Sequence, residues 1–159
     1  MASLFPARVA QGFEAGTYVK SFTPGTGASE PFIPGDLVAW DTTDGTMDRC
    51  GTDPTTIAGI AEGDSTVAIY PDGKVPVRIL TGASVVLALS STTTPVEATH
   101  VGKSYGVTRA SGGQWQLDIS KTTTSSRARV VGVDAANGIF YCVLHQNLLQ
   151  FADLTVATA

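Results

Sequence analysis

The tripeptide Gly102-Lys103-Ser104 is the part of the sequence closest to a known chemical motif, because the pattern G-K-[ST] ends a phosphate-binding loop. That loop also requires a glycine five positions before Gly102, where this chain has Glu97. A carboxylate at that place repels phosphate groups, and the residues after Ser104 favour a strand where the loop needs a helix N-terminus. We therefore expect no nucleotide cofactor.

Three aspartates, Asp41, Asp44 and Asp48, lie close together in the sequence, as the ligands of a metal site could. A calcium loop of the EF-hand type needs oxygen ligands at alternate positions and a glutamate at its end, and this spacing provides neither. The two histidines, His100 and His145, have no second histidine or cysteine at a spacing typical of zinc ligands. The sequence predicts no metal site.

Catalytic patterns are also scarce in this chain. The pattern G-x-S-x-G, which exposes a serine nucleophile, does not occur. Because there are only two histidines, the usual general base is rare. Two carboxylates that folding brings together would still suit a glycosidase, and sequence spacing does not test that arrangement. We expect a protein that is not an enzyme, without catalytic residues or cofactors.

Cys50 and Cys142 are the only cysteines, and they lie far apart and outside any C-x-x-C pattern. Cys142 belongs to the apolar run 139–144, which predicts a buried side chain. We expect both residues to behave as small buried hydrophobic residues. A disulfide between them stays an open alternative.

The charge balance argues against a nucleic-acid partner. The 159 residues carry a formal net charge of −4, and 15% of them are charged, against about 25% in typical soluble domains. The nearest basic cluster is Lys121, Arg127 and Arg129. Arg127 and Arg129 share one face of a predicted strand, which we interpret as a solvated face or the rim of a contact with another protein.

No membrane partner is expected either. No stretch approaches the ~18 apolar residues of a membrane span. The N-terminal residues lack the basic start and apolar stretch of a signal peptide. We expect the protein to stay in the compartment where it is made.

Most of the chain is predicted to form strands joined by tight turns. Four dipeptides favour hairpin turns: Asp44-Gly45, Asp72-Gly73, Gly112-Gly113 and Asn137-Gly138. Between them lie runs rich in β-forming residues, at 37–40, 75–80, 84–89, 114–119, 130–133 and 139–144. Pro76 predicts an edge strand, because proline cannot donate to a ladder. Residues 145–152 are the single plausible helix.

The first 31 residues differ from the rest of the chain. They mix Gly, Pro, Ser and Thr with single aromatic residues and have no sustained periodicity; the aromatic residues are Phe5, Phe13, Tyr18 and Phe22. Isolated aromatic side chains are typical interface anchors. We interpret residues 1–31 as an extended arm that docks on a neighbouring subunit, with an ordinary first strand or two as the alternative. Residues 32–159 are predicted to form one all-β, barrel-like antiparallel domain.

Two stretches of the chain echo each other. Gly35-Asp36-Leu37-Val38 is followed, after a turn, by residues 57–61, and Gly102-Lys103-Ser104-Tyr105 is followed, after a turn, by residues 130–134. Each half then enters another predicted hairpin. The pattern predicts one β-unit used twice, with chance similarity between short motifs as the alternative.

These segments resemble the small β-rich capsid decoration proteins of tailed bacteriophages. The resemblance spans residues 34–145 and is carried by Pro34-Gly35-Asp36-Leu37-Val38, Ile57-Ala58-Gly59-Ile60-Ala61-Glu62-Gly63, Val101-Gly102-Lys103-Ser104-Tyr105, Trp115-Gln116-Leu117-Asp118 and Val130-Val131-Gly132-Val133-Asp134. It implies a barrel-like or tulip-like domain that forms a homotrimer on the outer surface of the virion. There the protein, made in the host cytoplasm, clamps adjacent subunits of the major capsid protein after the shell expands.

Two other classes of function stay open. One is another virion component, such as a tail-tube, head-completion or fibre-associated module. The other is a carbohydrate-binding module or a small β enzyme, for which a surface row of Trp or Tyr would be expected. Trp40 and Trp115 lie in predicted strands, where packing in the core is the default.

Overall fold

The computed structural model describes residues 7–9, 17–27, 31–67, 71–81, 85–91, 93–122 and 126–151. Within them the chain is nearly all β, which confirms the predicted fold class. The strands are β1 (Arg8–Val9), β2 (Thr17–Phe22), β3 (Leu37–Asp41), β4 (Thr46–Arg49), β5 (Gly59–Ala61), β6 (Val75–Leu80), β7 (Val86–Ser90), β8 (Ser104–Arg109), β9 (Trp115–Asp118), β10 (Ala128–Asp134) and β11 (Ile139–Leu144).

The first unit is a five-stranded antiparallel sheet in the order β2-β6-β5-β3-β4. Its two end strands meet just beyond β2, where Pro24 forms an isolated parallel bridge with Met47 of β4. The Met47 amide donates to the carbonyl oxygen of Thr23 (2.8 Å), and the Gly25 amide donates to the carbonyl oxygen of Met47 (3.1 Å). The sheet therefore curls toward closure at one end of β2.

The second unit is a closed five-stranded barrel in the order β7-β11-β10-β8-β9. Closure comes from a parallel pairing of Ser90 in β7 with Gln116 in β9. The short strand β1 adds to the outside of β7, antiparallel to it. The barrel confirms the barrel-like prediction, and the first unit adds a second sheet to it.

The two units have the same topology. Taken in chain order, β2–β6 of the first unit pair in the same way as β7–β11 of the second, including the antiparallel hairpin β3–β4 (β8–β9 in the second unit) and the parallel closing contact. One detail repeats at atomic level. Before the second strand of each unit lies a glycine with positive φ. The amide of this glycine donates to the carbonyl oxygen of one residue in the fourth strand of the unit, and the amide of that residue donates to the carbonyl oxygen of the residue after the glycine. These residues are Gly35, Asp36 and Ala61 in the first unit, and Gly102, Lys103 and Val130 in the second.

The repeat predicted from the sequence is therefore present, with one change in alignment. The pairing of β3 with β5 and of β8 with β10 makes Gly59 equivalent to Ala128, because these residues lie opposite Val38 and Tyr105. Gly132, which the sequence echo aligned with Gly59, instead follows a β-bulge in β10.

A shared hydrophobic core joins the two units. Buried side chains of the first unit and the loops around it pack with the interior of the barrel; the largest contributors include Leu37, Ile57, Ile60, Leu80, Leu87, Leu89, Trp115 and Phe140. A second cluster fills the concave side of the first unit and includes Phe32, Val38, Met47, Val77 and Ile79. Burial of this apolar surface is the main stabilising contribution to such a fold.

One prediction about local structure was wrong, and one helix was not predicted. β6 is not an edge strand, since it lies between β2 and β5. Pro76 is tolerated because its backbone nitrogen and carbonyl point to the same side of the strand, toward β5, and β5 has already ended at Ala61; the Pro76 carbonyl accepts a hydrogen bond from Glu62 instead (3.0 Å). The region 145–152 contains a three-residue 3₁₀ helix, Gln146–Leu148. The one α-helix among the described residues, α1 (Glu97–His100), was not predicted.

The segment predicted as an arm is partly built into the first unit. Thr17–Phe22 pairs with β6 over six residues, so these residues form an edge strand of the sheet. Phe5 and Phe13 lie outside the described residues. The role of the segment in contacts between subunits stays a prediction.

The close approach of β5 and β6 at Gly59 gives a test of the packing in the first unit. A Cβ atom there would overlap the carbonyl oxygen of Arg78 and lie 2.9 Å from its carbonyl carbon, and backbone atoms in a sheet cannot move aside cheaply. We expect Gly59→Ala to lower the free energy of unfolding by about 2–3 kcal/mol, as overpacking does. Urea denaturation followed by circular dichroism measures this.

The matched control is Gly51→Ala, since a Cβ at Gly51 meets nothing within 4 Å. We expect that variant to be unchanged or stabilised by up to about 1 kcal/mol through the unfolded chain. The second unit accepts alanine at the equivalent position, Ala128. Equal stability of the two variants would contradict the close packing described at Gly59.

Candidate association surface

Asp36 is the most buried charged residue in the described chain, with no exposed surface. Its carboxylate lies in the turn before β3 and meets the β8–β9 hairpin of the other unit. Oδ1 accepts hydrogen bonds from Arg109 Nε (2.8 Å) and Trp115 Nε1 (3.0 Å). Oδ2 accepts from the Ile33 amide (2.9 Å) and from Arg109 Nη2 (3.3 Å). These donors leave the carboxylate occupied, so its place is structural: it fastens the two units together.

A second polar contact between the units involves two of the three predicted basic residues. Arg127 Nε donates to the carbonyl oxygen of Pro54 (2.9 Å) and lies 3.7 Å from Asp53 Oδ1. Lys121 Nζ lies 3.6 Å from Asp53 Oδ2 and 3.8 Å from an oxygen of Asp118. The structure thus places Arg127, a predicted interface residue, against the chain's own first unit.

Arg129 has the exposed position that the sequence predicted. It lies on the outer side of β10 near Val131, which is 47% exposed at the bulge in that strand. His145 is close by, and its Nε2 lies 3.3 Å from Ser104 Oγ. The pKa of His145 is lowered, first by burial and then by the positive charges of Arg129 and Arg127. Arg127 and Arg129 therefore both lie near His145, although Arg127 contacts the first unit and Arg129 is exposed.

Tyr18 and Phe22, the other two predicted interface residues in the described chain, both lie on β2. Tyr18 is 47% exposed and its neighbour Val19 is 48% exposed. Phe22 is half-buried and packs on Trp40, with ring centroids 5.6 Å apart. The Lys20 ammonium lies 5.8 Å from the centre of the Phe22 ring, within the range of a cation–π contact. We call residues 18–22 the β2 edge.

An aromatic groove begins where the β2 edge ends. It is lined by Phe22, Trp40 and Phe151, with Lys20 and Lys74 among its polar residues. Sequence reasoning assigned Trp40 to the core, and it found neither Phe151 nor Lys74. Trp115 alone of the two tryptophans is fully buried.

The end of the described chain fixes the wall of this groove. After β11 the chain returns to the first unit, where Leu149 forms a parallel bridge with Ile57. The side chain of Gln150 then hydrogen-bonds both backbone groups of Trp40: Oε1 accepts from its amide (2.7 Å) and Nε2 donates to its carbonyl (2.8 Å). Because these bonds join residues 110 positions apart, sequence periodicity carries no signal for the groove.

The β2 edge differs sharply from its counterpart in the barrel. The registers of β6 on β2 and of β11 on β7 make Val19 equivalent to Val86, and Lys20 equivalent to Leu87. Val19 is 48% exposed whereas Val86 is 8% exposed, and Leu87 is fully buried where Lys20 is exposed. β7 is covered by β1, but β2 has no strand on that side among the described residues. The β2 edge is the candidate association surface.

The titratable groups elsewhere are mostly used in turns or buried. Asp64 accepts hydrogen bonds from Thr66, and Asp134 accepts them from Asn137, which lowers the pKa of each carboxyl group. Burial raises the pKa of the Cys50 thiol to about 12 and also raises the pKa of Cys142. Both cysteines are free, so the open disulfide alternative is not realised in this structure.

Across the part of the chain that the structure describes, no group of three or more His, Cys, Asp or Glu residues could hold a metal ion. Within the same residues, no helix has the length and apolar character needed to cross a membrane.

No protein-family model matches this chain, and no curated protein matches its sequence.

The Asp36 contact predicts a large loss of stability when its charge is removed. In Asp36→Asn, an amide replaces one carboxylate oxygen and brings donors against Arg109 or Trp115. Breaking one side of a buried ion pair costs about 3–5 kcal/mol, and we expect a loss in the free energy of unfolding of that size. The control is Glu62→Gln, which removes the partly exposed ion pair with Arg78 and should cost at most about 1 kcal/mol. Equal losses in urea denaturation would contradict the structural role of Asp36.

The lowered pKa of His145 predicts a pH effect on stability. An unfolded histidine has a pKa of about 6.5, so below that pH the unfolded chain binds a proton that the folded chain takes up less readily. Stability should therefore fall as the pH drops from about 7.5 to about 5.5. In His145→Gln that part of the decrease should disappear from the urea midpoint, whereas Asp134→Asn should alter the profile only at more acidic pH. A His145→Gln profile parallel to the wild type would contradict this.

Proposed function

We propose that this chain is a capsid decoration protein, which binds the outer surface of a tailed-phage capsid and stabilises the shell by clamping adjacent major capsid protein subunits. The observation that carries the proposal is the β2 edge, which presents Tyr18 and Val19 to solvent although the equivalent residues of the other unit are buried. An exposed strand edge of this kind binds an extended segment through backbone hydrogen bonds. The choice of a capsid decoration protein rests on the sequence resemblance over residues 34–145.

The body behind this edge suits a structural role. Asp36 and Asp53 tie the units together, and Asp64, Asp118 and Asp134 accept hydrogen bonds from residues two or three positions ahead. These contacts use the carboxylates to hold turns and the junction between units. A preorganised body loses little conformational entropy when it binds.

A repeating shell would multiply weak contacts. Each copy of the decoration protein meets an identical site, and trimerisation would tether three β2 edges on one particle. Linked contacts raise overall affinity by about 10²–10⁴ over single ones when the geometry permits simultaneous binding. The proposal therefore includes a homotrimer located on the outer surface of the virion.

The aromatic groove favours a second function, a carbohydrate-binding module. Phe22, Trp40 and Phe151 line an open groove of the kind on which sugar rings stack. A glycan array separates the two proposals: selective binding that Trp40→Ala abolishes would favour the carbohydrate module.

We expect quantitative mass spectrometry of purified particles to find this chain at a copy number near that of the major capsid protein, or at a simple fraction of it. A few copies per particle would instead favour a tail, head-completion or fibre component. Absence from particles would contradict both the decoration protein and any other virion component.

A binding experiment tests the surface itself. A charge on an exposed strand opposes edge pairing when the incoming strand carries the same sign of charge, so Val19→Glu should weaken sedimentation with purified shells about tenfold or more. The control is Val67→Glu, a substitution of the same type at a 54% exposed valine outside β2. Equal binding by the two variants would contradict the role of the β2 edge.

A further inference from the structure

The second unit supplies a template for what binds the first. On the barrel, β1 pairs antiparallel with β7, so that Val9 lies opposite Leu87 and Arg8 lies opposite Ala88. This pairing sits next to the end of β7 at which Ser90 closes the barrel on β9. One strand thus uses both a closing contact and an added neighbour along the same edge.

β2 has the equivalents of both the closing contact and the edge position that β1 occupies on β7. No described strand lies at the second of these positions. The register through β6 makes Lys20 and Ser21 equivalent to Leu87 and Ala88. The closing contact is present at residues 23–25. Beside Lys20 and Ser21, where β1 lies in the barrel, the described part of the chain places no strand.

The charges beside this place indicate the chemistry of its occupant. Lys20 and Lys74 both line the aromatic groove, and its other lining residues are Ser21, Phe22, Thr23, Trp40 and Phe151, none of which is acidic. The whole chain has a net charge of −4, so this is a local positive site on a negative protein. A strand with carboxylates among apolar side chains would complement both the lysines and the aromatic rings.

A second copy of β2 fits this place poorly. Antiparallel pairing of two β2 edges around their middle would bring Lys20 of one copy opposite or diagonal to Lys20 of the other. Like charges at such positions destabilise a strand pair. Charge therefore favours a different polypeptide segment over self-pairing.

We propose that the β2 edge is an acceptor for one extended, acidic segment of a partner polypeptide, which adds antiparallel to β2 at Lys20 and Ser21, as β1 adds to β7. Its carboxylates lie near Lys20 and Lys74, and an apolar side chain enters the aromatic groove. The inference rests on the proposed function only for the source of the segment, which would then be the major capsid protein.

The test uses a nine-residue capped peptide of alternating valine and glutamate, and the same peptide with lysine in place of glutamate. We expect the acidic peptide to slow amide hydrogen exchange at residues 18–22 and to change the tryptophan fluorescence, a change that Trp40→Phe should abolish. The lysine peptide should bind about tenfold more weakly or not at all. Binding of neither peptide, or equal binding of both, would overturn the proposal.

Two variants of the full chain sharpen the result. Lys20→Glu should weaken binding of the acidic peptide about tenfold, whereas Lys103→Glu makes the same charge change at an exposed lysine of the other unit and should leave binding within about twofold. Equal weakening by the two variants would mean that the acidic peptide responds only to the net charge of the protein, which would contradict a site at β2. Amides at 18–22 that are fully protected before any peptide is added would mean that the edge is already covered, which also overturns it.

The peptide experiment needs no particles, so its failure is distinct from failure of the proposed function. Peptide binding by a chain that is absent from capsids would leave the acceptor edge standing and remove the capsid as its partner. A chain present in high copy number on capsids, without peptide binding, would leave decoration standing and move the contact to another surface.

Discussion

The arrangement of the whole molecule depends on the buried carboxylate of Asp36. A carboxylate without exposed surface is costly unless donors surround it, and two of its side-chain donors, Arg109 and Trp115, belong to the other unit. The first unit can bury Asp36 only when the β8–β9 hairpin is in place, and this couples the folding of the two halves. The equivalent residue of the second unit is Lys103, which is exposed. The repeat has therefore diverged at the position that joins its two copies.

A second divergence separates the edges of the two units. β7 is buried along its whole length because it has the shared core on one side and β1 against its edge, and its residues are accordingly apolar or small. β2 keeps the equivalent pairing partner and closing contact, yet its sequence contains the polar residues Thr17, Lys20 and Ser21 and ends in Phe22. Conserved topology with altered side chains is what a protein needs to keep a stable body while it changes one surface.

How much of this could be predicted follows from the range of the interactions. The hairpin turns are local: Gly45, Gly73, Gly113 and Gly138 all adopt positive φ where the dipeptides indicated turns. The pairing of Asp36 with Arg109 spans 73 residues and leaves no periodic signal. Pro76 misled for a related reason, because its tolerance depends on where the neighbouring strand ends. The exposure of Tyr18 could be suspected from its aperiodic surroundings, but the groove beside the half-buried Trp40 is completed by the distant residues Gln150 and Phe151.

Lys20 resolves a difficulty that an exposed strand edge creates. An edge with Tyr18 and Val19 in solvent invites pairing between copies of the same chain, and a lysine on such an edge is a common means of opposing it. The same charge becomes favourable when the incoming strand carries carboxylates, since an attractive pair replaces a repulsive one. Discrimination between self and partner then needs no additional residue. On the proposed symmetric shell, weak individual pairing would be sufficient, because many copies of the site would act together.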